Sequence, residues 1–133
     1  MPYACAALRS PETYYRQVDV AGRAASANDG AGLVSMLYEE LVHSLRAAAF
    51  AAETGNGPRR AERVTRATAI LYALEAGLDF DRGGEVSRTL GTLYAGARRQ
   101  VVAASLGDDG KPFRAVADDM EGVAAAWASV RGV

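Results

Sequence analysis

The stretch that decides the fold class is LVSMLYEELVHSL, at residues 33–45. Its apolar residues recur every three or four positions, as on the buried stripe of an α-helix, with no β-branched alternation. At 100° per residue these side chains cover an arc of about 240°, whereas a single core-facing stripe needs little more than about 100°. The stretch therefore predicts a helix with more apolar surface than one neighbouring helix covers.

The same spacing continues through the rest of the chain and predicts an all-α protein. We expect helices at residues 11–20, 29–53, 58–78, 85–106 and 112–130. The connections between the last four are short and rich in Gly, Asp or Asn, so consecutive helices should be neighbours. The expected architecture is an antiparallel four-helix bundle with a short additional N-terminal helix. We expect residues 1–133 to form a single domain, with residues 1–10 disordered.

The composition narrows the classes of function. The chain has 15 Lys and Arg against 16 Asp and Glu, a net charge of -1, so its global charge attracts neither nucleic acid nor an anionic membrane. One Cys precludes an internal disulfide, and no long apolar run predicts a signal peptide or membrane span, so we expect a cytoplasmic protein. With one His and one Cys, the chain offers too few groups for a catalytic constellation. We expect no enzymatic activity and no cofactor.

Several local patterns have both a chemical and a structural interpretation. Residues 79–84 resemble the start of a calcium loop, but Gly83 and Leu90 stand where side-chain oxygens are required, so we favour a helix end followed by an acidic first turn. Gly30-Ala31-Gly32 follows no predicted strand, which argues against a phosphate cradle. His43 is interpreted as a solvated surface residue. Cys5, with no apparent charge partner, is not expected to be redox active.

The arginines of two helices form short basic strips, at 59, 60, 63 and 66 and at 98–99. We interpret both strips as solvated faces, paired with Glu62 or with acidic residues of a neighbour, rather than as docking patches. No aromatic residues interleave with the first strip, which argues against binding of single-stranded nucleic acid.

The surplus apolar surface of the 29–53 helix needs a cover. Tyr14, Tyr15 and Val18 of the short N-terminal helix form an apolar cluster that could dock there and leave again. An oligomer partner or a client segment could also cover the surface. The competing interpretation is that this helix is central in the bundle and is covered on most sides by its neighbours.

The order and spacing of several short motifs resemble those of the flagellar export chaperone family FliS, over residues 14–130. They are Tyr15 with Gln17-Val18; Leu33 to Glu39; Ala76-Gly77-Leu78-Asp79 before Gly83-Gly84-Glu85-Val86; Leu90 with Leu93-Tyr94; Arg98-Arg99; and Ala126-Trp127. The chain differs from the family pattern at Asp29-Gly30, where Ser-Pro is usual, and at Gly96 and Ser105.

The resemblance implies a partner, the C-terminal segment of flagellin, which is disordered in the monomer. The chaperone would hold this segment as a helix in a groove, prevent premature polymerisation, and present the client to a component of the flagellar export gate. Other flagellar proteins are further possible partners, and no nucleotide or metal is implied. The residues that we expect to form the groove and its N-terminal cover are Tyr14, Tyr15, Val18, Val34, Tyr38, Val42, Ile70 and Leu74.

The main alternative is a structural helical-bundle subunit that forms a homodimer through its surplus apolar face. Stoichiometry separates the two hypotheses. A chaperone should be a monomer or weak dimer that binds one flagellin tail, whereas a structural subunit should self-associate tightly. A small helical enzyme is the third hypothesis, and the shortage of catalytic groups argues against it.

Overall fold

A computed structural model describes residues 30–130, and all the regular secondary structure in this range is helical. The helices are α1 (Gly30–Glu53), α2 (Gly57–Ala76), α3 (Phe80–Ala103) and α4 (Lys111–Val130). The all-α prediction is confirmed over this range. The short helix predicted at 11–20, with Tyr14, Tyr15 and Val18, lies outside the described residues, as do residues 1–10. None of the helices within 30–130 is both long and apolar enough to cross a membrane.

The turn between α1 and α2 follows from its sequence. Gly55 has a φ of 73°, a left-handed conformation that glycine adopts without steric cost and that ends α1. The Asn56 side chain then caps α2 by accepting a hydrogen bond from the Arg59 N–H at 3.2 Å, and Pro58 lies in the first turn. Helices α2 and α4 therefore begin and end within two residues of their predicted positions, and α1 ends where it was predicted to end. The residue predicted to cap the start of α1 lies outside the described range.

The start of α3 differs from the prediction. We expected this helix to begin near Glu85, but it begins at Phe80, capped by the Asp79 side chain, which accepts hydrogen bonds from the Asp81 and Arg82 N–H groups at 3.1 and 3.0 Å. Gly84, with φ 51° and ψ -119°, interrupts the helix after one turn. The glycine pair thus forms a kink inside a helix rather than a connection before one.

The chain divides into two compact units, residues 1–36 and residues 37–133. Of the first unit the structure describes only the start of α1, where Leu33, Val34 and Met36 are half-buried. The second unit contains the rest of α1 and the other three helices. Its largest fully buried apolar side chains are Leu41 and Leu45 of α1, Leu71 of α2, Val101 of α3, and Phe113, Val116 and Met120 of α4.

The apolar seam of α4 is buried over its first half only. Phe113, Val116 and Met120 are fully buried, but Val123 and Trp127 are half-buried. The sequence predicted a seam that stays buried as far as Trp127. At 100° per residue Trp127 lies between Val116 and Met120, and Val123 lies within about 20° of Val116, so the seam keeps its face along α4 while its burial decreases toward the end of the helix.

Polar contacts connect the helices of the second unit. At one end, Glu53 of α1 pairs with Arg114 of α4, and Arg60 of α2 donates to the Gly107 carbonyl beyond α3 at 3.0 Å. Farther along, the Arg98 guanidinium of α3 donates to Glu75 of α2 at 2.6 Å. Most of these groups are partly exposed to solvent, so each pair adds little to stability and mainly fixes the register of the helices.

Candidate functional site

Five of the residues that we predicted to bind a partner lie within the described range, on α1 and α2. Val34, Tyr38 and Val42 follow one another at four-residue spacing on α1; Val34 and Val42 are half-buried, and Tyr38 is only 3% exposed. Ile70 and Leu74 of α2 are 6% and 5% exposed. The two valines are therefore the accessible members of the set, and the other three are buried.

The core uses a wide arc of α1 in the second unit. Eight residues of this helix are buried there: Tyr38, Leu41, Ser44, Leu45, Ala48, Ala49, Ala51 and Ala52. At 100° per residue they cover an arc of about 160°, more than one neighbouring helix requires. This favours the interpretation that α1 is central within this unit. The core therefore leaves less apolar surface of α1 uncovered than the sequence suggested. Val42 belongs to this remaining surface and lies at the edge of the buried arc.

A buried hydroxyl pair lies beneath this edge. The Tyr38 and Tyr94 hydroxyl oxygens are 2.5 Å apart and connect α1 to α3. Burial raises the pKa of Tyr38 well above its usual value, and the hydrogen bond to Tyr94 raises it further. Burial also raises the pKa of Tyr94. Both hydroxyls are therefore neutral at physiological pH, and one donates a hydrogen bond to the other.

A buried arginine joins α1 to α2 on the same side of the molecule. Arg66 is 6% exposed, and its Nε donates to the Glu40 carboxylate at 2.7 Å. We expected this arginine to belong to a solvated strip. The strip is solvated only in part, because Arg66 lies on the same side of α2 as Ile70 and is neutralised by Glu40. Arg59 is exposed, while Arg60 and Arg63 are half-buried.

The described residues offer little for catalysis or metal binding. His43 is exposed, as predicted. Within residues 30–130, no three His, Cys, Asp or Glu side chains are close enough together to hold a metal ion. Asp79 caps α3, so the calcium-like pattern has the structural role that we favoured.

The sequence analysis missed two exposed apolar side chains on neighbouring helices. Tyr72 of α2 is 60% exposed, and Val102 of α3 is 57% exposed. The signal was available for Tyr72, because it lies about 100° around the helix from Leu71 and thus off the buried stripe. Its contact with Arg98, whose guanidinium carbon is 4.2 Å from the centre of the Tyr72 ring, was not predictable from spacing.

The sequence matches the family model described as "Flagellar protein FliS" over residues 12–132. The matched segment extends through all four helices.

Curated relatives give the same result. A flagellar secretion chaperone FliS of Salmonella typhimurium is 30% identical over 117 residues, which cover 87% of this chain and 86% of the relative. A protein of the same name from Campylobacter jejuni is 31% identical, covering 74% of this chain and 77% of its own. A third, from Vibrio cholerae, is 25% identical, with coverages of 90% and 88%.

Proposed function

This chain belongs to the FliS family and is a flagellar secretion chaperone, and we propose that its client is the C-terminal segment of a flagellin. Holding this segment in the cytoplasm would prevent premature polymerisation and keep the client ready for a component of the flagellar export gate. The observation that carries the proposal is the family match over residues 12–132, most of the chain.

The client would bind as a helix along the half-buried edge of α1. Val34 and Val42 are partly accessible and would be contacted first. Tyr38, Ile70 and Leu74 are buried, so they would support this edge from beneath or become accessible when a cover leaves. In this proposal the cover is the N-terminal segment that contains Tyr14, Tyr15 and Val18, which the client displaces.

The architecture that we propose is a single domain, an antiparallel four-helix bundle with a short additional N-terminal helix. The polar contacts of the second unit support the antiparallel order. Arg60 at the start of α2 donates to the carbonyl of Gly107, beyond the end of α3, while Glu75 near the end of α2 pairs with Arg98, which lies nine residues before Gly107. The end of α1 pairs with the start of α4 through Glu53 and Arg114.

We propose that binding requires no catalysis, nucleotide or metal, and that the chaperone is a monomer or a weak dimer. Because the client orders on binding, much of the contact energy is offset by the entropy that it loses. The complex should therefore form reversibly, with one client segment per chaperone, and release at the export gate should need no covalent step.

Calorimetry and circular dichroism with a cognate flagellin C-terminal peptide test the proposed client. We expect one-to-one binding, a negative heat-capacity change and a gain of helicity, because an amphipathic segment buries apolar surface as it folds. Grooves of this kind bind their clients at peptide concentrations in the range of about 100 µM. The absence of detectable binding at that concentration would argue against this client. Tight self-association without peptide binding would favour the structural homodimer instead.

A pair of neighbouring substitutions on α1 tests the proposed face. Val42→Glu should weaken peptide binding by about tenfold or more, because it places a charge on the half-buried edge. The control is His43→Glu, an exposed position one residue further along. It should leave the affinity almost unchanged. Equal affinities for both variants, with unchanged helicity and melting temperature, would show that the client binds elsewhere.

A further inference from the structure

A second surface of the molecule lies between α2 and α3. Here the two helices form a shallow groove of about 530 Å³, lined by Thr68 and Tyr72 of α2 and by Arg98, Arg99, Val102 and Ala103 of α3. On α2, Tyr72 lies about 160° around the helix from both Ile70 and Leu74. The groove is therefore on the opposite side of α2 from Ile70 and Leu74.

The groove has an apolar floor whose main side chain is held in place. The Arg98 guanidinium lies over the Tyr72 ring, with its carbon 4.2 Å from the ring centre, and donates to Glu75 at 2.6 Å. Arg98 thus connects the ring to a fixed carboxylate on the same helix as Tyr72. A ring that is held while 60% exposed loses little side-chain entropy when another molecule packs against it.

Two of the six large hydrophobic side chains that are exposed within the described residues belong to this groove. Val102, 57% exposed, lines the same groove as Tyr72. Single exposed apolar side chains need no explanation, but an aromatic and an aliphatic side chain exposed in one groove with a polar rim are typical of interaction sites.

The charges of the groove indicate the chemistry of its occupant. Glu75 neutralises Arg98. Arg99 is exposed, and no carboxylate within residues 30–130 lies within 4.0 Å of its nitrogens. The lining itself contains no acidic residue. Among the described residues Arg99 is therefore without an ion pair, although Asp119 of α4 lines the adjacent groove that Arg99 shares, and a guanidinium in this position beside the apolar floor favours a partner that supplies a carboxylate.

We propose that this groove binds an acidic amphipathic helix of a second protein. The partner would pack an aliphatic side chain between Tyr72 and Val102 and pair a carboxylate with Arg99. The lining residues of each helix span about one turn, from Thr68 to Tyr72 and from Arg98 to Ala103, so two or three turns of a partner helix would be enough. The site is separate from the proposed flagellin face and does not depend on it.

Two synthetic peptides of about 15 residues, long enough for a marginal helix, test the proposal on the full chain. Both have the same Leu and Ala face, flanked by Glu in one peptide and by Lys in the other. In amide chemical-shift titrations we expect the Glu peptide to shift the signals of Thr68, Tyr72 and Val102 and the Lys peptide to bind more weakly. Tyr72→Ala should weaken the Glu peptide about tenfold, as for an aromatic anchor.

Two further variants complete the experiment. Phe50→Ala removes another exposed aromatic, on α1, and should leave the affinity unchanged. Arg99→Glu should reverse the preference between the two peptides.

Three outcomes would overturn the proposal. The first is the absence of shifts at the groove with the Glu peptide up to about 1 mM, the weak end of specific binding. The second is displacement of that peptide by a bound flagellin C-terminal peptide, which would make the groove part of the client site. The third is a dimer in sedimentation that Tyr72→Ala dissociates, which would make a second copy of the chain the occupant.

Discussion

At the scale of single residues, the contact between Tyr38 and Tyr94 shows both what the sequence predicts and what it leaves out. The apolar spacing placed Tyr38 on the apolar side of its helix, where we assigned it to the partner-binding groove, but Tyr38 is only 3% exposed and belongs to the core. The sequence could not identify its partner. The two residues are 56 positions apart, and their contact depends on the rotation and height of two helices, which spacing within one helix does not determine.

Removal of one hydroxyl of this pair should destabilise the fold. Tyr38→Phe leaves the Tyr94 hydroxyl buried without its partner, so we expect the free energy of unfolding to fall by about 1–3 kcal/mol. Tyr94→Phe should have a similar effect. The double variant should lose less than the sum of the two, because it leaves no unpaired hydroxyl. Denaturant unfolding measures all three, and strict additivity would show that the hydroxyls do not interact.

The pair of Glu53 and Arg114 should make stability depend on pH. The hydrogen bonds from Arg114 hold the pKa of the Glu53 carboxyl below its usual value. The stabilisation is therefore complete above the unfolded pKa and is lost as the pH falls through the folded pKa. We expect Glu53→Gln to melt below the wild type at pH 7 and the difference to disappear as the pH falls through the lowered pKa of Glu53.

The matched control for this pH experiment is Glu39→Gln. Glu39 is also exposed on α1, and no cation within residues 30–130 lies within 4.0 Å of its carboxylate. A melting difference for Glu53→Gln that stays constant from neutral to acid pH would contradict the assigned role of the ion pair.

At the scale of elements, helix positions were predicted well and the start of α3 was not. Local capping and glycine patterns predicted the ends of α1, α2 and α4, whereas α3 ends at Ala103, three residues before the predicted Leu106. At residues 79–84 the same residue types, Asp and Gly, are compatible with a loop or with a capped first turn and a kink. In the structure the Ser87 hydroxyl donates a hydrogen bond to the Asp79 carbonyl at 2.9 Å, eight residues away, which stabilises the capped first turn. No sequence pattern specifies that bond.

The kink gives a direct test at Gly84. Its φ of 51° with ψ of -119° is a conformation that residues with a Cβ rarely adopt, although no atom would crowd a Cβ there. Gly84→Ala should therefore destabilise the protein by about 1–3 kcal/mol through the backbone alone.

The control for the kink is Gly122→Ala in the middle of α4. A Cβ at Gly122 also meets open space, but the backbone is helical, so alanine should stabilise the fold by up to about 1 kcal/mol. Thermal or denaturant unfolding of the two variants gives the comparison. Equal effects of the same sign would show that the Gly84 conformation is not required.

At the scale of the whole molecule, the sequence predicted the helical class and the family, while the binding surface was predicted only in part. Ile70 and Leu74 were assigned to a groove because they are apolar, yet they are buried. Periodicity alone cannot distinguish a core residue from one that lines a groove, since both lie on the apolar side of a helix. The exposed Tyr72 and Val102 escaped notice because they interrupt, rather than form, an apolar stripe.

Removal of residues 1–20 tests the proposed N-terminal cover. If Tyr14, Tyr15 and Val18 shield apolar side chains such as Val42, the truncated chain should bind more hydrophobic dye and self-associate more than the full chain. Dye titration and sedimentation measure the two effects. A truncated protein that remains monomeric, binds no additional dye and keeps its melting temperature would exclude the cover.

The half-buried Trp127 near the end of α4 has a practical consequence. It is the only tryptophan in the chain, so the intrinsic fluorescence of the protein, excited at the red edge, comes from one known position. Its emission should move to longer wavelength as α4 loses its packing, because the indole then becomes fully hydrated. Neither Val42 nor Tyr72 is on α4, so this signal can follow unfolding separately from events at the two proposed binding surfaces. The molecule therefore contains its own optical reporter of folding, and no label needs to be attached.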